Sequence, residues 1–413
     1  MMKAAPHNAT DLHVAVLGPM SLDLLELGPQ RHASLPVGYP APIISSIVSG
    51  YLDEGMRVTA ITTSAGIDET LVFANGSLTV IVVPRTGPRS ALRMFATERS
   101  AIVYALRGVQ PDVVHAHWTY EFAAAALDSG VPALITVHDD ATKVLRYCAT
   151  RTWQDPDLLD RVSYLTLRAL LDSRIRYRGR YFSAPSGYIA NRIQVSNTRQ
   201  VRVIPNFLNP DNLPFAVPQV DREKTIVTVS NGFRGRKNVP AAIRAFAESG
   251  LSELGWRYEL VGAQLEPSGP AEDWASHHGL DARVEFVGTT TYSDTLNRIA
   301  RASFMLHPAL EESFGMTVLE AMALGTPVIG GSSAGNIPAL LDGDAGILCN
   351  VRSPEAIGAE IRRLAGDSML WKSVSDTAAE RATKRYGRDR IVRIYAEYLM
   401  DIVCEEQRGP GTP

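Results

Sequence analysis

The chain has 413 residues, 45% of them hydrophobic and 21% charged, with a formal net charge of -3. That composition is ordinary for a globular protein with a sizeable core and gives no sign of a chain-wide polycation built for nucleic acid; the length suits two domains. Three cysteines, Cys148, Cys349 and Cys404, stand far apart without CxxC or Cys/His spacing, which favours free thiols over a disulfide framework or a zinc site.

The opening stretch MMKAAPHNATDLHVAVLGPM lacks the apolar core and cleavage site of a signal peptide, and no run of about 18 apolar residues occurs. A soluble or at most peripheral, cytoplasmic protein is expected. Strands are expected at HVAVLG (13–18), RVTAITT (57–63), TVIVVP (79–84), DVVHAH (112–117) and PALITVH (132–138), with helices over 42–54 and 91–107. Near-continuous apolar strands separated by helices imply a parallel sheet covered on both faces.

A Pro- and Asn-rich linker falls at about residues 205–220. The pattern then restarts with KTIVTVS (224–230), RYELVG (257–262), RVEFVG (283–288), SFMLHP (303–308) and TPVIGG (326–331), and helices over 239–249 and 295–302. The expected class is α/β, with two doubly wound Rossmann-like domains at 1–205 and 206–388. A helix over 389–406 has no strand after it and can return to the first domain, and the tail RGPGTP is expected to be disordered. Ligands of open α/β sheets bind beyond the carboxyl ends of the strands, so two such domains would face each other across a cleft.

Between residues 314 and 341 the only charged side chain is Glu320. A carboxylate in such an apolar helix either lies on a narrow exposed stripe or needs partners, because an unpaired buried charge costs several kcal/mol. Ligand hydroxyls would supply them. Glu312 precedes Glu320 with seven residues between, and Ser313, Phe314 and Gly315 lead into the helix. Free N–H groups at Gly315 and Met316 would form an anion site there.

EESFGMTVLEAMALGTPVIG (311–330) resembles the E-x7-E signature of retaining glycosyltransferases with the GT-B fold, the "group 1" or family 4 type. The resemblance implies that Glu312 contacts the donor sugar and Glu320 the nucleotide ribose, with Ser313 to Thr317 lining the donor site. SNGFRGRKNVPAAIRAF (230–246) falls where that family has its basic phosphate-binding segment. Lys237 would then neutralise the donor diphosphate beside Asn231 and Gly232. The family's usual arginine is missing at Asn231 and Gly232, and Arg234 is expected to replace it. RVEFVGTTTYSDTLNRIARASFMLHPALEESFG, with Gly288, follows the family's run into the signature, and RVIPNFLN resembles its interdomain element. ITVHDD places His138 where the family has its active-site histidine; on chemistry alone His115 and His117 are equal candidates. Gly18 stands where the family has a glycine-containing loop. No GxGxxG follows a strand and GFRGRKN is not a P-loop.

What the resemblance implies is a hexosyltransferase that uses a nucleotide diphosphate sugar, UDP- or GDP-linked, and a hydroxyl acceptor (a sugar or a lipid-linked one), with retention, no metal and no cofactor. Polysaccharide or glycolipid synthesis is the expected setting. The rival readings are another sugar-nucleotide enzyme such as an epimerase, and a catalytically silent nucleotide-sugar-binding partner. Residues 143–202 carry twelve Lys or Arg against four Asp. The excess is either a solvated face or a contact with anionic lipid at the inner face of a membrane. No RNA-binding motif accompanies it, so nucleic acid is not expected.

Overall fold

A computed structural model describes residues 9–27, 41–149, 158–193 and 200–408. The chain divides into two units, residues 1–207 with 388–413, and residues 208–387.

The first unit is built on β1 (His13–Leu17), β2 (Arg57–Ser64), β3 (Leu71–Asn75), β4 (Leu78–Pro84), β5 (Val113–His117), β6 (Ala133–Thr136), β7 (Tyr181–Ala184) and β8 (Gln200–Val203). They order as β3-β4-β2-β1-β5-β6-β7-β8, parallel except for β3 against β4. β1 is buried at all five positions, as befits a central strand covered on both faces. Helices Pro42–Asp53 and Arg388–Arg408 cover one face, through Ile44, Ile47, Tyr395 and Leu399. Helices Ala96–Val109, Glu121–Ser129 and Leu158–Arg178 cover the other, through Ile102, Phe122 and Leu171. The chain leaves β1 toward β2 on one side and returns to β5 on the other. That topological switch opens a crevice beyond the carboxyl ends of β1 and β5.

The second unit holds β9 (Glu223–Val229), β10 (Arg257–Val261), β11 (Val284–Gly288), β12 (Ala302–His307), β13 (Val328–Gly331) and β14 (Ile347–Cys349), ordered β11-β10-β9-β12-β13-β14 and all parallel. Its switch point lies between β9 and β12.

Some local expectations shift. The helix expected over 91–107 is split into a 3-10 turn, Pro88–Arg93, and a helix starting at Ala96, because Met94 and Phe95 adopt positive φ of 49° and 57°. The helix expected over 295–302 begins at Tyr292, since the Thr291 hydroxyl accepts from Asp294 N at 3.1 Å. It ends at Arg301, where β12 begins. The tail from residue 409, and Arg151 and Arg199 of the basic segment, lie outside the described residues.

Much of the basic segment's charge is met within the first unit. Arg176 pairs with Asp172 at 2.9 Å, Arg178 with Asp128 at 2.8 Å, Arg192 with Asp140 at 2.9 Å and Arg202 with Asp401 at 2.8 Å, while Arg180 pairs with Glu405 and Glu406. No helix among the described residues is long and apolar enough to cross a membrane.

Candidate active site

In the second unit, β12 delivers the chain to the loop 308–315. Two neighbours pin that loop. Gly335, at φ +62°, lets its backbone meet Glu312, whose carbonyl would lie 2.2 Å from any Cβ at position 335. The next residue, Asn336, donates its N–H to Glu312 O (2.9 Å) and its amide to Phe314 O (3.0 Å). Gly315, at φ +101°, then turns the chain into helix Met316–Ala323.

The basic segment is clamped to the same loop. Leu310 N donates to Arg236 O at 2.7 Å, and the Asn238 amide donates to Pro308 O (3.1 Å) and Val351 O (2.7 Å). Lys237 Nζ consequently stands 3.1 Å from Glu312 Oε2, with His307 Nε2 at 3.8 Å from the same oxygen. Burial alone would raise the Glu312 carboxyl. The positive charge of Lys237, with His307 and Arg236 adding to it, instead holds the carboxyl down at about 2. Burial lowers His307 to about 4, so it is neutral at pH 7.

Glu320 lies farther along the helix and is 5% exposed, so it occupies no exposed stripe. Tyr292 donates its hydroxyl to Glu320 Oε1 at 2.9 Å. Burial dominates, raising the carboxyl to about 7. At neutral pH the carboxyl is therefore about half ionised.

The remaining expected donor residues are more scattered. Ser313, Met316 and Thr317 are half-buried around the start of the helix, beside buried Phe314 and Gly315. Gly232 N donates to Ala263 O at 3.0 Å, and Asn231 Oδ1 accepts from Ala263 N at 3.4 Å. Gly288 ends β11 with its backbone against Glu266. Arg234 is exposed, its guanidinium 5.5 Å from the Phe233 ring centroid. The cations that act on Glu312 are Lys237 and Arg236.

In the first unit, Gly18 follows β1 and donates to Ile61 O at 3.2 Å. A Cβ at position 18 would meet His117 Cβ at 3.2 Å. His117 ends β5, fully buried, and its Nδ1 lies 3.0 Å from Nε2 of His138. Trp118 comes next at φ +64°, a conformation unusual for an aromatic residue. Its N–H donates to Thr136 O at 2.9 Å and its ring packs 4.3 Å from that of His138. His115 packs against His117 and is held between the Tyr51 hydroxyl (2.8 Å) and Thr136 Oγ1 (2.7 Å). Burial lowers His115 and His138 to about 3 each, so both rings are neutral at pH 7.

Each unit thus gathers polar groups at its own switch point: Lys237, Arg236, Glu312 and His307 in one, Gly18, His117 and His138 in the other. Arg236, His307, Tyr292, Asn336 and Trp118 were not singled out from sequence. Arg236 had a signal, since it adjoins Lys237 in GRK, whereas Tyr292 and Asn336 approach their partners only through the fold. No group of three or more His, Cys, Asp or Glu side chains is gathered as metal ligands among the described residues.

Comparison with known proteins completes the picture. The family model for glycosyl transferases group 1 matches residues 212–385, and the model for Glycosyltransferase Family 4 matches residues 44–212. N-acetyl-alpha-D-glucosaminyl L-malate synthase of Bacillus anthracis is 30% identical over 190 residues, which is 46% of this chain and 48%, about half, of that relative's length. Glycogen synthase of Mycobacterium tuberculosis (strain ATCC 25618 / H37Rv) is 26% identical over 380 residues, 88% of this chain and 85% of that one. Among solved structures, Anabaena HepE in complex with UDP and glucose is similar with a TM-score of 0.67 and 17% identity, over 94% of this chain and 100% of that one.

Proposed function

Since the chain belongs to the GT-B glycosyltransferases, with a family 4 N-terminal half and a group 1 C-terminal half, we propose that it moves a hexose-type sugar from a UDP- or GDP-linked donor to a hydroxyl acceptor with retention of configuration. The observation that carries this reading is the Glu312–Lys237 pair at 3.1 Å, set at the carboxyl end of β12 where helix Met316–Ala323 begins. A carboxylate for sugar hydroxyls, a cation for phosphate and helix N–H groups are what a sugar diphosphate needs.

In this reading Lys237 and Arg236 balance the departing diphosphate, and Glu320 accepts from the ribose hydroxyls. No metal is invoked, because the two cations and the helix N-terminus can carry that charge. The first unit binds the acceptor, with His138 as its catalytic histidine. The bond from the anomeric carbon to the phosphate oxygen breaks, and the bond to the acceptor oxygen forms on the same face. The acceptor's hydroxyl proton passes to the departing phosphate. A polysaccharide or lipid-linked acceptor is proposed, which would place the enzyme in the cytoplasm at the inner face of a membrane. Contact with anionic lipid there would have to compete with the ion pairs that already engage Arg176, Arg178 and Arg180.

The test is a thermal-shift screen against UDP, GDP, ADP and TDP, since a ligand of the folded state raises Tm by mass action. Acceptor-dependent release of nucleoside diphosphate from the matching sugar donor follows. A donor epimerised without acceptor supports the epimerase reading, and binding without turnover supports a silent partner.

A further inference from the structure

His117 is fully buried, and its Nε2 has no hydrogen-bond partner among the described residues. Its Nδ1 meets His138 Nε2 at 3.0 Å, and the two rings meet edge to edge, with centroids 5.3 Å apart and planes 28° from parallel. Two neutral imidazoles can share one N–H between those nitrogens in only two ways. If His138 donates through Nε2, the proton of His117 must sit on Nε2, where it becomes a buried N–H with no acceptor. If His117 donates through Nδ1, its Nε2 keeps only a bare lone pair. An orphaned buried donor is the rarer and costlier defect.

We propose that His117 is a positioning residue that donates Nδ1–H to His138 and so fixes His138 as the Nδ1–H tautomer. The ring nitrogen left for a ligand is then Nδ1–H, a hydrogen-bond donor suited to a sugar hydroxyl or phosphate oxygen and without a lone pair to take a proton. The neighbouring packing supports a fixed ring. Trp118, at positive φ, closes one side of His138, and His115 lies 4.1 Å from the His117 ring, braced by Tyr51 and Thr136. The value of this tautomer for transfer rests on the reading of His138 as a residue that meets the reacting sugar. The tautomer itself does not rest on that reading.

Long-range 1H–15N correlation spectra of the full chain carrying 15N-labelled histidine, at neutral pH, test the assignment directly. The expected result is His138 protonated at Nδ1 with Nε2 unprotonated, and the same pattern for His117. His138 protonated at Nε2 overturns the proposal, whether or not the protein transfers sugar. Two variants add a kinetic arm. His117→Leu is expected to lower kcat about 10²-fold, as loss of orientation does, with unchanged affinity for free UDP or GDP. His117→Asn, whose amide can donate from nearly the place of Nδ1, is expected to recover most of that loss. Equal activity in the two variants contradicts a positioning role, and if the leucine variant does not fold, the wild-type spectrum still decides.

Discussion

Lys237 Nζ lies 3.1 Å from Glu312 Oε2, so the cation assigned to the diphosphate is already held by the carboxylate assigned to the sugar. The pairing keeps Glu312 ionised at any pH above about 2, despite burial that pushes the other way. It also sets the two side chains in position before a ligand arrives, which lowers the ordering cost of binding.

Opposite effects of one substitution follow from that pair. Glu312→Gln is expected to lower kcat by about 10²-fold, from loss of a charge acting in the transition state. Free UDP or GDP should bind no more weakly than to wild type, and up to about tenfold more tightly, because Lys237 is released for phosphate. Titration calorimetry beside steady-state kinetics reads both quantities. A parallel fall in nucleotide affinity would sink the division of roles.

Glu320 gives a pH signature. Its folded-state value of about 7 exceeds the ordinary carboxyl value, so between those values the native state binds more protons than the unfolded chain. Stability attributable to this group is therefore full below the unfolded value and is lost as pH rises through about 7. Glu320→Gln is expected to raise Tm relative to wild type at pH 8 and to leave it nearly unchanged at pH 4, the gain being at most about 3 kcal/mol. The same variant should bind free nucleotide more weakly at pH 8. A Tm difference that does not vary with pH would contradict the buried carboxyl's assignment.

The two arginines beside Lys237 should separate kinetically. Arg236 acts on both Glu312 and His307, whereas Arg234 is exposed beside Phe233. The sequence favours Arg234 as the second cation, but its exposure and the charge that Arg236 exerts on Glu312 put the larger expectation on Arg236. Arg236→Ala is expected to cost about 2–3 kcal/mol in kcat/KM. Arg234→Ala should cost less than half of that. The reverse order would return the role to Arg234.

Gly335→Ala tests the clamp on the loop without touching a charged group. The added methyl would lie 2.2 Å from Glu312 O, at a φ of +62° that disfavours any side chain. Displacement of Glu312 is expected, with kcat down about 10²-fold and a lower Tm. Wild-type kinetics in this variant would show that the backbone contact does not position Glu312.

Much of the second unit was legible because its chemistry is local. Glu312 and Glu320 share one strand-to-helix passage, and a single charge in an apolar helix marks itself. Lys237 followed from its place in a basic segment, although its 3.1 Å approach to Glu312 depends on Asn238 and Leu310 closing two loops together. Strands β3, β8 and β14, which lie at sheet edges, and β7 beside one of them, were not read. The His117–His138 bond joins the ends of adjacent strands, so only the β5–β6 register brings the rings together. Tyr292 was hidden for the same reason, being 28 residues from the carboxylate it meets.

The most direct test of the function is the product formed by the purified chain from a UDP- or GDP-linked hexose and a panel of hydroxyl acceptors, followed by 1H NMR. The expected result is acceptor-dependent release of nucleoside diphosphate, a glycoside with the donor's anomeric configuration, and loss of turnover by about 10²-fold in Glu312→Gln. An inverted product would contradict retention. Absence of turnover with every donor that binds, or full activity in Glu312→Gln, would contradict the catalytic role given to the Glu312–Lys237 pair.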